Sequence, residues 1–209
     1  YIFASLGVDE IYGGNSTNGD TVDFSLLSGL IKGSGENFNG VSVNLGGGAG
    51  AVGARFSRTV LAVEETTSQL FSSIENIIGS SNNDNIVGNS SKNTLRGGAG
   101  DDKIYGKAGA NSLYGDAGND IIRAGSGNDK VDAGDNNDTV YGDSGEDLLI
   151  GGLGADTIRG GTESDTIYGD DTLRTDVSGG ADILYGEDGV DIIYAGFGDD
   201  TLSGGANND

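Results

Sequence analysis

From Gly79 onward one large aliphatic residue returns every ninth position: Ile86, Leu95, Ile104, Leu113, Ile122, Val131, Val140, Leu149, Ile158 and Ile167. After one interruption the series resumes at Leu184, Ile193 and Leu202. The residues flanking each of these are polar or outward-compatible, so each unit predicts a short strand with a single side chain turned inward. Between the strands run Gly, Asp and Asn, and the unit reads Gly-Gly-x-Gly-x-Asp-x-U-x, with U a large aliphatic. A fixed short period predicts a solenoid rather than a globular core. Each unit is expected to alternate a six-residue Gly/Asp/Asn segment with a three-residue strand, two units completing one turn. Glycine suits the tight turns because it adopts positive φ without steric cost.

The pattern divides the chain into a flank, residues 1–78, and a regular array, residues 79–209. The flank opens on degraded copies of the unit, Gly7-Val8-Asp9-Glu10-Ile11-Tyr12 and Gly19-Asp20-Thr21-Val22-Asp23. Val41, Val43 and Leu45 alternate with Ser42 and Asn44, and Thr59–Val63 is a second strand candidate. Leu70–Ile78 continues the nine-residue register and predicts an apolar plug for the end of the solenoid, with a short amphipathic helix as the competing reading. Within the array, Asp165 and Asp182 are farther apart than one unit allows, and the extra residues are expected to bulge near 171–178.

The sixth position carries the chemistry. With two units per turn, every second aspartate stacks on the same side, about 4.8 Å from the next. Carboxylates at that spacing cannot all stay ionised without counter-charge. Hard dications resolve this, and calcium suits a flexible cage of six or more oxygens better than magnesium does. The candidate metal ligands are Asp84, Asp102, Asp120, Asp129, Asp138, Asp147, Asp156, Asp165, Asp182, Asp191, Asp200 and Asp209. Asn93 and Asn111 interrupt one of the two columns with uncharged amides. Pairing neighbouring aspartates gives about ten Ca2+ sites, whose charge would nearly offset the net charge of −22.

That net charge excludes nucleic acid and anionic membrane surfaces as partners, since both need Lys and Arg. With no histidine and no cysteine, the chain lacks the usual general base, thiolate ligands and disulfides. Serine has no partner for a triad, no phosphate-binding loop is present, and no loop has the ligand spacing of an EF-hand. The carboxylate pairs recur identically in unit after unit, as structural ligands do. No enzyme activity is expected, and no apolar run is long enough for membrane insertion. Tyr1 is not an initiator and the last unit stops at Asp209, so the chain is expected to be a piece of a longer protein.

The units Gly97-Gly98-Ala99-Gly100-Asp101-Asp102-Lys103-Ile104-Tyr105 and Gly151-Gly152-Leu153-Gly154-Ala155-Asp156-Thr157-Ile158-Arg159 closely resemble those of the RTX (repeats-in-toxin) family of secreted bacterial proteins. The resemblance is dense over residues 79–209 and weak over 1–23. It implies an all-β fold, a parallel β-roll with calcium held between turns. It also implies export by type I secretion, folding outside the cell and an extracellular or cell-surface location. The function expected is that of a calcium-dependent structural module. Tyr105, Tyr114, Tyr141, Tyr168, Tyr185 and Tyr194 all occupy the ninth, outward position, and Ile121, Leu148, Ile150, Ile183, Ile192 and Phe197 could add a contact patch. Two alternatives therefore stand beside the structural reading: a polysaccharide-binding accessory module of an extracellular enzyme, or a subunit that assembles with copies of itself into a surface layer, sheath or filament.

Overall fold

The computed structural model describes residues 2–3, 20–23, 38–44, 55–58, 74–171 and 179–209. The described residues form strands and turns and contain no helix. The flank contributes β1 (Ile2–Phe3), β2 (Asp20–Asp23), β3 (Phe38–Asn44), β4 (Arg55–Arg58) and β5 (Ile74–Ile78). The array follows with β6 (Asn85–Val87), β7 (Thr94–Ala99), β8 (Lys103–Ala108), β9 (Ser112–Ala117), β10 (Ile121–Ser126), β11 (Lys130–Asp135) and β12 (Thr139–Ser144). It ends with β13 (Leu148–Leu153), β14 (Thr157–Thr162), β15 (Thr166–Tyr168), β16 (Ile183–Asp188), β17 (Ile192–Tyr194) and β18 (Thr201–Ala206).

Alternate strands go to alternate sheets. One sheet runs β1-β2-β5-β7-β9-β11-β13-β15-β17 and the other β18-β16-β14-β12-β10-β8-β6-β3-β4. The array strands pair in parallel, with Ile122 beside both Ile104 and Val140, and Val131 beside both Leu113 and Leu149. The result is an all-β parallel solenoid of about seven turns, the β-roll architecture. Among the described residues the one antiparallel pair is β3 with β4 in the flank.

The aliphatic positions form the core. Ile77, Leu95, Leu113, Val131, Leu149 and Ile167 come from one sheet and Ile86, Ile104, Ile122, Val140, Ile158 and Leu184 from the other, all at 0–1% exposure. Each strand thus gives the core one large side chain, and burying it contributes about 1.5–3 kcal/mol. The core is a thin seam between two sheets.

Most array strands are longer than the three residues expected, although β6, β15 and β17 keep to three. β8, β10 and β12 each continue through the first three positions of the next unit, with Gly125 still in register beside Lys107 and Asp143. A left-handed residue at the second position (φ of 113° at Gly125, 74° at Lys107 and 72° at Asp143) bends the strand without breaking its pairing. The turn shrinks to three residues.

The flank joins the stack. Val43 pairs with Ile86 and Ile77 with Leu95, so β3 and β5 extend the two sheets. Residues 74–78 are strand, not helix; Leu70 and Phe71, the rest of the expected plug, lie outside the described residues, as do residues 7–12 and Thr59–Val63. At the interruption the spacing between stacked aspartates is 26 residues instead of 18, yet the strands on either side remain in register. Residues 172–178, most of the expected bulge, lie outside the described residues.

The outward tyrosines do not form one ladder. On one sheet Tyr105, Arg123, Tyr141, Arg159 and Tyr185 alternate turn by turn. Arg123 lies over the Tyr141 ring at 5.8 Å and Arg159 over Tyr185 at 4.4 Å. On the other sheet Arg96 covers Tyr114 at 4.8 Å, and Tyr168 stacks on Tyr194 at 4.7 Å. The same arginines pair one turn on with Asp116, Asp143 and Glu187 at 2.6–2.8 Å. Those three acids occupy left-handed backbone positions. Such exposed pairs contribute at most about 1 kcal/mol each. The outward aliphatics are also divided: Ile121 and Ile183 sit in one sheet, Leu148, Ile150 and Ile192 in the other.

Candidate metal centre

The turn residue at position six ends each turn and starts the next strand, which directs its side chain into the roll. The candidate aspartates from Asp84 to Asp191 are at most 4% exposed. Asp200 is half-buried and Asp209 is exposed. Each stacks on its counterpart in the next turn through a repeated hydrogen bond. The backbone N–H of Asp84 donates to Asp102 Oδ1 at 2.7 Å, that of Asp102 to Asp120, and so on through Asp138, Asp156, Asp182 and Asp200. The second column runs Asn93, Asn111, Asp129, Asp147, Asp165, Asp191 and Asp209 in the same way. One carboxylate oxygen thereby satisfies a turn N–H that strand pairing leaves over.

The other oxygen has no such partner. Oδ2 of Asp102, Asp120, Asp129, Asp138, Asp147, Asp156, Asp165, Asp182 and Asp191 is buried without a hydrogen bond. Its surroundings are oxygen. A methyl group added at Gly97 would run into Asp102 Oδ2 and lie 2.9 Å from the Gly115 carbonyl oxygen. At Gly115 it would run into Asp120 Oδ2 and the Ala133 carbonyl, and at Gly151 into Asp156 Oδ2. Glycine there leaves a cradle in which a carboxylate oxygen and a carbonyl oxygen from the next turn face the same space.

Among the described residues no group of three or more acidic side chains converges as a compact metal cluster. The cradles instead recur turn after turn and, apart from that of Asn111, present side-chain and main-chain oxygens with no nitrogen or sulfur ligand. That donor set fits calcium: hard, oxygen-only and built from flexible turn backbone. Its positive charge is what would let these carboxylates remain ionised.

The acids are costly to ionise as they stand. Burial, against the opposing hydrogen bond from the preceding turn, pushes Asp102, Asp138 and Asp147 up to about 8, Asp156 and Asp165 to about 7, and Asp120, Asp129 and Asp182 to about 6. Neighbouring carboxylates add to the rise for Asp102, Asp138 and Asp147. An unfolded aspartate titrates near about 4, so the folded chain binds more protons between that pH and its raised values. In calcium-depleted buffer its stability is therefore fullest below about pH 4 and is lost progressively as pH rises from there to the raised values of about 6 to 8. Lowering the pH from about 8.5 to about 5.5 in such buffer should increase the β signal in far-ultraviolet circular dichroism. A spectrum independent of pH in that range would contradict this.

The asparagines behave differently. Asn93 is satisfied locally: its Oδ1 accepts the Asn89 N–H at 2.8 Å and its Nδ2 donates to Asn89 Oδ1 at 3.3 Å. Asn111 turns a buried, unpartnered Nδ2 into the cradle beside Gly106. Period counting missed Asp170, a buried acid at the second position of its unit whose Oδ1 also has no partner. Its place immediately before the interruption was the available signal.

A family model described as the RTX calcium-binding nonapeptide repeat matches the chain in four copies, over residues 78–113, 114–149, 150–172 and 176–209. No curated protein matches the chain.

Proposed function

The chain belongs to the RTX calcium-binding repeat family, and on that premise we propose that it is a structural β-roll module whose position-six aspartates hold about ten calcium ions between turns. The buried, unpartnered Oδ2 atoms facing carbonyl oxygens carry this reading. Asp84 through Asp209 act as ligands, residues 79–209 form the calcium-stapled roll, and residues 1–78 cap it. The module is secreted and folds after export, where calcium is plentiful, and has a structural rather than catalytic role. Calorimetric titration of the full chain with calcium chloride tests this. Uptake of several equivalents coupled to β-structure formation is the expected result, and uptake of none would refute it.

The two columns are expected to be unequal. The cradles beside Gly88 and Gly106 face Asn93 and Asn111, which bring no charge, and Asn111 presents a nitrogen where its neighbours present an oxygen. Asn111→Asp should add about one calcium equivalent at saturation in equilibrium dialysis. An unchanged count would show that carboxylate charge is not what selects the sites.

A further inference from the structure

Asp170 departs from the other acidic second-position residues of the roll in what its side chain does, turning inward as the uncharged Ser80 and Asn89 do. Asp116, Asp143 and Glu187 occupy that position with left-handed backbone and reach outward to arginines. Asp170 is not left-handed. Its carboxylate, just before the chain leaves the repeat, turns inward to 9% exposure. Oδ2 accepts the N–H of Phe197, one turn on, while Oδ1 is buried without a partner.

The neighbouring atoms are oxygens again. A methyl at Gly179, where the chain rejoins the repeat, would run into the Phe197 carbonyl oxygen and the Asp170 carboxylate. At Gly169 it would run into Asp182 Oδ2 and the Ala195 carbonyl oxygen. Asp182 Oδ2 is likewise buried and unpartnered. Gly169 and Asp170 are consecutive, as are Ala195, Gly196 and Phe197, so the two cradles adjoin. The charge of Asp170 is felt at both Asp156 and Asp182, whose carboxyls it helps to raise.

We infer that at the interruption Asp170 Oδ1 and the Phe197 carbonyl oxygen join the Asp182 Oδ2 and Ala195 carbonyl cradle of the repeat, giving a divalent-cation site, of calcium class, with a carboxylate ligand that the nine-residue motif does not encode. It rests on the calcium reading of the repeats but adds a ligand from outside their sixth position. Such a site ties both ends of the interruption, Asp170 and Gly179–Asp182, to the turn that follows. The roll can then carry extra residues while its strands remain in register.

Calcium titration of the full chain tests the site. Asp170→Asn keeps an acceptor for the Phe197 N–H but loses the charge. It should bind about one calcium fewer than the unaltered chain at about 1 mM free calcium, or bind that ion at least about tenfold more weakly. Asp199→Asn, an exposed charge-matched control, should leave the count unchanged. If the unaltered chain takes up calcium and Asp170→Asn matches it in number and affinity, the site is refuted and the repeat reading stands. No uptake by the unaltered chain would refute both. Should Asp170→Asn fail to fold, anomalous diffraction from calcium-grown crystals of the unaltered chain decides. A peak ligated by Asp170 supports the site, and its absence overturns it.

Discussion

Withdrawing calcium at a pH of about 8 should abolish the β spectrum of this chain, and restoring calcium to about 0.1–1 mM should bring it back. The reason is the imbalance between core and acids. Among the described residues, ten aspartates, Asp170 included, place an unpartnered carboxylate oxygen in the interior. Each buried, uncompensated charge costs several kcal/mol, whereas a folded domain is stable by only about 5–15 kcal/mol in total. Three of those acids, raised to about 8, can escape by taking a proton, but Asp120, Asp129, Asp156, Asp165 and Asp182, raised only to about 6 or 7, are mostly ionised at that pH. The net charge of −22 adds repulsion across the roll. A cation bound only by the folded state shifts the balance by mass action. Far-ultraviolet circular dichroism with and without chelator is the measurement. A β spectrum that persists in chelator would show that the seam of aliphatic residues suffices, and the view of calcium as the main stabiliser would fall.

Leu149→Ala should cost about 2–5 kcal/mol of stability at saturating calcium, and Leu202→Ala less than about 1 kcal/mol. The two residues occupy the same position of the unit. Leu149 is fully buried between strands on both sides, while Leu202, in the edge strand of its sheet, is 48% exposed. Because each strand supplies one large core residue, few neighbours can close the gap left at Leu149. The turn-to-turn hydrogen bonds of Asp138 and Asp147 hold the strands at fixed spacing and limit collapse further. Urea unfolding in excess calcium, comparing midpoints for the two variants, checks the contrast. Equal shifts would mean that the seam is not a graded core, and that stability resides in the acidic columns alone.

Much of this was legible in the chain itself. A single aliphatic residue every nine positions can be buried only by stacking units, so Ile104, Ile122 and Val140 had to become neighbours once two units made a turn. The aspartate columns follow from the same period, because Asp102, Asp120 and Asp138 occupy one place in successive turns. Strand length was not legible. Gly and Asp after Tyr141 read as a loop, yet both stay within β12 and Asp143 pairs with Gly125 and Gly161, because a left-handed residue can bend a strand that its neighbours hold on both sides.

The sequence by itself determined the period, the inward column and the acid at each turn, since these depend on dihedral preferences and polarity within nine residues. Only the tertiary structure decided how each carboxylate is used, with Oδ1 accepting an N–H from the adjacent turn and Oδ2 left facing a carbonyl. It also decided that arginines separate the outward tyrosines of one sheet, and that Asp170 turns inward where Asp143 turns out. These are contacts between residues 18 to 28 positions apart. Which atoms are left without a partner there depends on the spacing and register of whole turns, which no nine-residue window contains.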